Sequence, residues 1–236
     1  MTGLPPQLEI YRTADSSPTI SYKRADGHIE KMHHSGGALT ESLYIYHYGL
    51  NMALNEGCPP RVVSLGLGLG YNELIALAEF QRRNQAAFKI WSFEADEYLR
   101  TQFKQWLQGE SGTLGALYDE ITASIEAHFE IENLKTTASE HLRNHSLQLR
   151  GSYPADINGV EDVGVFFFDA FSNKMSPELW QELDMRRTLS QLLSPHAVLC
   201  TYAATGALNR VLKQLEFRLL DRPGFQGKRE STLAIR

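Results

Sequence analysis

From Arg61 onward, short apolar runs alternate with longer stretches in which apolar residues recur at helical spacing. Val62-Val63-Ser64-Leu65 predicts a strand, and a helix follows from Asn72 to Arg83 with Leu74, Leu77 and Ala78 on one face. Lys89 to Phe93 predicts a second strand and Ala95 to Leu107 a second helix. Residues 108–127 read as a partly helical insertion, and Ala127 to Leu134 as a third strand. Val163-Gly164-Val165-Phe166-Phe167-Phe168 is nearly all apolar, the mark of a central strand buried on both faces. Pro177 to Leu193 predicts a helix with proline in its first turn and Pro195 beyond its end. Ala197 to Thr201 reads as a strand, Thr205 to Leu215 as a helix, and the remainder as two strands around a loop. Such alternation predicts an α/β fold with a doubly wound sheet.

The segment before Arg61 has a different rhythm. Leu8 and Ile10, then Thr19, Ile20 and Tyr22, lie in strand-like runs separated by the turn-rich Ala14-Asp15-Ser16-Ser17-Pro18. After Gly36-Gly37, residues Thr40 to Met52 carry Leu43, Ile45, Tyr46 and Leu50 at helical spacing, and Pro59-Pro60 close the segment. We therefore expect a small β element and helix over residues 1–58, packed on a main α/β domain over residues 59–236.

A length of 236 residues suits one substantial core, and 42% hydrophobic content excludes global disorder. No apolar run approaches the ~20 residues of a membrane span. The N-terminal MTGLPPQLEIYR has neither the basic nor the apolar region of a signal peptide. Cys58 and Cys200 make no disulfide framework and have no zinc spacing, so a reducing cytoplasm fits. The net charge of −5 argues against broad nucleic-acid binding. It is uneven, however. From Arg186 to the end there are nine Lys/Arg against three Asp/Glu, and the acidity belongs to the preceding residues. This predicts a local basic rim rather than a long basic surface.

Three places carry candidate chemistry. Gly66, Gly68 and Gly70 alternate with leucines between the first strand and its helix, letting the backbone fold tightly under a ligand at a helix N-terminus. A dinucleotide fingerprint wants glycine or alanine at position 71, where this chain has Tyr71, so the loop suits S-adenosylmethionine better than a pyrophosphate. Glu94 ends the second strand, where an acid can accept both ribose hydroxyl protons; a surface acid in a loop is the plainer reading. Asp169 follows the phenylalanine-rich strand, at the carboxyl edge where ligands bind in such sheets; the plainer reading is a structural cap. An acid against three phenylalanines is costly unless paired or in a site.

Four stretches together resemble the methyltransferase part of the MnmC-type tRNA-modifying enzymes. His34-Ser35-Gly36-Gly37-Ala38-Leu39-Thr40-Glu41 resembles the family's H-S-x-x-G-A-x-x-E segment, and Leu65-Gly66-Leu67-Gly68-Leu69-Gly70-Tyr71-Asn72 its L-G-x-G-x-G-x-N loop. Asp169-Ala170-Phe171-Ser172-Asn173-Lys174-Met175-Ser176-Pro177-Glu178-Leu179-Trp180 is similar to D-[GA]-F-[SA]-x-x-K-x-P-[ED]-[LM]-W, with Lys174 displaced by one position. Thr201-Tyr202 and Gly224 to Glu230 resemble the family's ending with its G-x-x-x-K-R-E turn, so the likeness runs from residue 30 to 236.

The resemblance implies a Rossmann-like class I methyltransferase that moves a methyl group from S-adenosyl-L-methionine to 5-aminomethyl-(2-thio)uridine at the tRNA wobble position. Asp169 and Phe171 would be catalytic; Glu41, Gly66, Gly68, Gly70, Asn72 and Glu94 would bind the cofactor. Tyr202, Lys174, Lys228 and Arg229 would meet the anticodon loop, and no metal is implied. The family's acid near the first glycine is Ser64 here, and its G-D pair after the third strand aligns with Thr136-Thr137. The oxidase half of the bifunctional members has no counterpart, so only the methylation step is expected. His33-His34 reads as a loop pair rather than a metal site, Cys200 as a core residue, and Tyr44 to Tyr48 as helix packing. Rival readings are an aminopropyltransferase, which would resemble a G-G-G-[DE]-G loop absent here, a small-molecule methyltransferase, and a non-catalytic binding module.

Overall fold

The structure is a computed structural model and describes residues 3–24, 26–170, 176–227 and 231–236. Strands β1 (Leu8–Arg12), β2 (Pro18–Lys23) and β3 (Ile29–Lys31) form an antiparallel sheet of three, with Ile10 opposite Ile20 and Ser21 opposite Lys31. A continuous helix follows in three parts: α1 (Ala38–Ser42), a π-helical turn over Leu43–His47, and α2 (Tyr48–Asn55). Its first amides are capped by the turn before β2. Ala38 N donates to Thr13 Oγ1 and Ser17 Oγ at 3.1 and 3.0 Å, and Thr40 N donates to Asp15 Oδ2 at 3.1 Å. Burial would raise the Asp15 carboxyl, but hydrogen bonds from Ser17, Thr13 and Thr40 hold it down at about 2. The turn-rich Ala14–Pro18 stretch therefore fixes where the helix begins.

The main sheet has seven strands in the order β6-β5-β4-β7-β8-β10-β9. In chain order its elements are β4 (Arg61–Leu65), α3 (Tyr71–Arg82), β5 (Lys89–Phe93), α4 (Glu97–Leu107), α5 (Gly115–Phe129), α6 (Leu134–Arg143), β6 (Leu147–Arg150) and β7 (Val163–Phe168). A 3₁₀ turn (Pro177–Trp180), α7 (Glu182–Leu192), β8 (Leu193–Thr201), α8 (Gly206–Gln214), β9 (Arg218–Leu220) and β10 (Thr232–Ile235) complete it. β4 pairs in parallel with both β5 and β7, so the winding reverses beside β4 and opens a crevice at the strand tips. β10 runs antiparallel to both β8 and β9. The doubly wound α/β reading holds. Every residue of β7 is buried, as its apolar run predicts. Val165 and Phe167 enter one core while Val163, Phe166 and Phe168 enter the other.

Several boundaries depart from expectation. Ala127 to Leu134 is not a strand: it spans the end of α5 and the start of α6, with Glu130 and Asn133 at φ 54° and 64° turning the chain. The strand that pairs with β5 is Leu147–Arg150. The helix expected from Pro177 to Leu193 is interrupted at Gln181, whose backbone is extended. β8 begins at Leu193 and carries Pro195 where its register with β7 shifts between Val163 and Val165. Helix α3 is buried from Tyr71 to Phe80 rather than on one face, because the π-helical turn, α5 and α6 all pack against it.

Candidate functional site

The tips of β5, β4 and β7 are tied together by main-chain hydrogen bonds. Gly66 N donates to Phe93 O at 2.9 Å and Asp169 N donates to Leu65 O at 3.0 Å. Gly66 adopts φ 98°, and a Cβ there would lie 2.5 Å from the Asp169 carbonyl oxygen, so only glycine allows the two tips to approach. Leu67 and Leu69 between the glycines are buried and anchor the loop in the core. The loop delivers the chain to the N-terminus of α3, whose first residue, Tyr71, donates its hydroxyl to Pro18 O at 2.8 Å. The residue that spoils a dinucleotide fingerprint thus binds the helix to β2.

Above these tips lies a cleft of about 740 Å³, of the size that takes small organic ligands. Glu94 stands on one side, 8% exposed. Its Oε2 accepts from Gly68 N at 3.1 Å and its Oε1 from Asp96 N at 2.9 Å. Burial raises its carboxyl above the usual range, against the pull of those two amides. Asp96 in turn caps α4, accepting from Tyr98 N and Leu99 N. Asp169 stands on the other side. Its Oδ1 accepts from the Tyr46 hydroxyl at 2.5 Å and its Oδ2 from Asn72 Nδ2 at 2.7 Å. Burial pushes its carboxyl up to about 7, with Tyr46 and Asn72 pulling it down and the charges of Glu41 and Glu73 pushing it up. Glu73 is fully buried and accepts from Ser92 Oγ at 2.7 Å. Burial takes it to about 7 as well, with the charge of Glu94 adding to the rise.

The third wall comes from the N-terminal segment. Glu41 is buried and takes His34 N on its Oε2 at 2.6 Å. His34 Nδ1 accepts from Gly36 N, and His33 Nδ1 meets Thr19 Oγ1 at 2.7 Å, so the paired histidines are built into loop and sheet. Among the described residues no group of His, Cys, Asp and Glu could hold a metal ion. Tyr202, at the end of β8, closes the far side and donates its hydroxyl to Ala170 O at 2.9 Å.

Of the residues singled out in the sequence, Glu41, Gly66, Gly68, Asn72, Glu94, Asp169 and Tyr202 line this one cleft. Gly70 does not; it precedes α3 at φ 78° with its missing Cβ directed at the Phe103 ring, so it serves helix packing. Phe171, Lys174, Lys228 and Arg229 lie outside the described residues. The Thr136-Thr137 alignment is corrected: both threonines are inside α6, and the loop after the true third strand is Gly151-Ser152-Tyr153, on the cleft wall. Against the expected basic rim, no described cation of the tail lines the cleft itself; Arg222 lies over the Tyr44 and Tyr48 rings beside a neighbouring groove. Arg210 pairs with Glu182, Arg236 binds the carbonyls of Leu193 and Ser194, and the cation on the cleft wall is Lys31 of β3. Sequence reasoning missed Tyr46, set aside with its neighbours as helix packing, and Glu73, which nothing local distinguishes from a solvated helix acid.

The cleft suits an adenosyl ligand. Two glycines remove side chains from its floor, a buried carboxylate stands at one strand tip, and the buried Asn72 Oδ1 has no hydrogen-bond partner among the described residues. Residues 123–236 match the family of S-adenosyl-L-methionine-dependent methyltransferases. That match covers just under half of the chain and takes in strands β6 to β10 of the doubly wound sheet, so the chain is methyltransferase-like there. Its relatives are more particular. It is 25% identical over 96% of its length to the tRNA 5-methylaminomethyl-2-thiouridine biosynthesis bifunctional protein MnmC of Chromohalobacter salexigens. The MnmC protein of Hahella chejuensis is 30% identical over 40% of the chain. The crystal structure of MnmC2 from Aquifex aeolicus superposes with a TM-score of 0.65 at 25% identity, covering 96% of this chain and 70% of that one. The chain spans 32% of the C. salexigens protein and 19% of the H. chejuensis protein. It is MnmC-like over nearly its whole length, as its motifs indicate. No helix among the described residues is long and apolar enough to cross a membrane.

Proposed function

We propose that this chain methylates the exocyclic amine of 5-aminomethyl-(2-thio)uridine at the wobble position of tRNA, presented by the anticodon loop. The observation that carries the reading is Asp169, held between Tyr46 and Asn72 on the cleft wall with its carboxyl near 7. When bound, S-adenosyl-L-methionine supplies a methyl group already activated by the sulfonium charge. The protein's task is to hold a neutral amine in line with it. An alkylammonium in water has a pKa near that of lysine, about 10, and must lose a proton before its nitrogen can attack. Asp169 Oδ2 or Oδ1 accepts that proton, and the buried setting that raises the carboxyl also disfavours the ammonium.

Glu94 accepts the two ribose hydroxyls, its own orientation set by the amides of Gly68 and Asp96. Glu41 takes the methionine amino group. Tyr202 and Phe171 are assigned to the uracil ring, a role aromatic side chains suit at an extruded base. Lys174, Lys228 and Arg229 are assigned to the RNA backbone. Residues 1–58 act as the segment that carries Glu41 and Tyr46 to a core formed by residues 59–236.

The test is incubation with methyl-labelled S-adenosyl-L-methionine and tRNA bearing 5-aminomethyl-uridine, followed by digestion and identification of the labelled nucleoside. Label in the methylaminomethyl nucleoside is the expected result. Absence of label from tRNA overturns the reading.

A further inference from the structure

We propose that Tyr48 and Arg222 form a stacking platform for an RNA nucleotide next to the one that enters the cleft. This rests on the tRNA reading above. A line of rings leads out of the cleft. His34, on its wall, packs edge-on against Phe225 with ring centres 5.6 Å apart, and Phe225 lies 5.8 Å from Tyr44. The Arg222 guanidinium carbon is 3.9 Å from the centre of the Tyr44 ring and 4.0 Å from that of Tyr48. Arg222 Nη2 donates to Tyr44 O, and the Tyr44 hydroxyl donates to Pro223 O at 2.9 Å. These bonds fasten the loop after β9 to the π-helical turn.

The outermost ring is not consumed by this packing. Tyr48 remains 50% exposed, a high value for so large an apolar face, beside a groove of about 620 Å³ that also meets His47 and Asn51. The surroundings are cationic. Arg82 and Arg83 converge on the one buried carboxylate of Glu79, which the His47 ring also meets, and Arg83 donates to Asn51 on the groove wall. Asp221 is the acid that faces the groove. A half-exposed ring with a guanidinium over it, and further arginines nearby, offers a base a plane to stack on and its phosphate a cation. A second pair, Lys31 over the Tyr11 ring, lies at the cleft wall, but Tyr11 is less exposed than Tyr48.

The direct test is the affinity of an unmodified anticodon stem-loop RNA for wild type, Tyr48→Ala and Tyr48→Phe, read by fluorescence anisotropy, with S-adenosylhomocysteine affinity measured alongside. Because Tyr48 is exposed, its truncation leaves the fold and the cofactor affinity intact. The expected result is roughly tenfold weaker RNA binding for Tyr48→Ala, with Tyr48→Phe close to wild type, since the ring and not the hydroxyl is used. Equal RNA affinity in all three proteins overturns the platform, as does failure of wild type to bind the RNA. Methylation of aminomethyl-bearing tRNA is assayed separately. If it fails while RNA binding still depends on Tyr48, the fault lies with the proposed reaction and not with the platform.

Discussion

Glu94 and Asp169 occupy equivalent places on either side of β4, at the tips of β5 and β7, and both carboxyls are raised by burial. They are held by different kinds of donor. Glu94 is held by main-chain amides of Gly68 and Asp96, one in the glycine loop and one at the start of α4. Asp169 is held by two side chains, Tyr46 from the N-terminal helix and Asn72 from α3. A carboxylate fixed by backbone is set by the path of the chain and suits a constant task, here the proposed acceptance of ribose hydroxyls. A carboxyl fixed by side chains can be tuned group by group, and it stands near neutrality, where proton exchange is easiest.

Four substitutions break or sharpen this contrast. Gly66 lies between the two tips, and its missing Cβ keeps clear of the Asp169 carbonyl. Gly66→Ala is expected to lower methyl transfer by about 10³-fold and to weaken cofactor binding at once, since both tips must shift; steady-state kinetics and calorimetry with S-adenosylhomocysteine read the two effects. Glu94→Gln removes the charged acceptor and puts an amide against two N–H donors. A loss of about 10–100-fold in S-adenosylhomocysteine affinity is expected, with less change in the transfer rate of the loaded enzyme.

Glu73 lies between the tips, adding its charge to Asp169 and feeling that of Glu94. Its folded pKa, about 7, is above the ordinary 4.5. Its contribution to stability is therefore full below about 4.5, falls as pH rises towards about 7, and stays low above. Glu73→Gln lacks that loss, so its unfolding free energy should gain on wild type across this window, by on the order of 3 kcal/mol at pH 8. A parallel pH dependence in both proteins would rule this out. Tyr46→Phe deletes a donor to Asp169 alone. The rising limb of transfer against pH, expected near 7 in wild type, should move up by about one unit, while cofactor affinity stays put.

The same contrast explains what could be read from the sequence. The glycine loop, Glu94 and Asp169 are local signals, each a few residues at the end of an apolar run, so the sheet and the two acids were legible together. Tyr46 was not. It reaches Asp169 across 123 positions, from a helix whose apolar spacing looks like ordinary packing and whose π-helical turn leaves no compositional mark. The third strand was misplaced because Phe129, Ile131 and nearby charges alternate like a strand, whereas the real one has four residues with only Leu147 buried. That error placed the loop after the third strand at Thr136-Thr137 instead of Gly151-Ser152. Tertiary crowding, with helices on every side of α3, also buried Glu73 where a single apolar face was expected.

The central claim is that Glu94 holds the cofactor and Asp169 takes the proton. It is tested most directly by the single-turnover rate of methyl transfer to tRNA bearing 5-aminomethyl-uridine, measured across pH for wild type and Asp169→Asn, each saturated with S-adenosyl-L-methionine. The account predicts a wild-type rate that rises through about pH 7 and a variant slower by about 10²–10⁴-fold with unchanged affinity for S-adenosylhomocysteine. An Asp169→Asn protein that transfers methyl at the wild-type rate, or that is slow only because it no longer binds the cofactor, would contradict it.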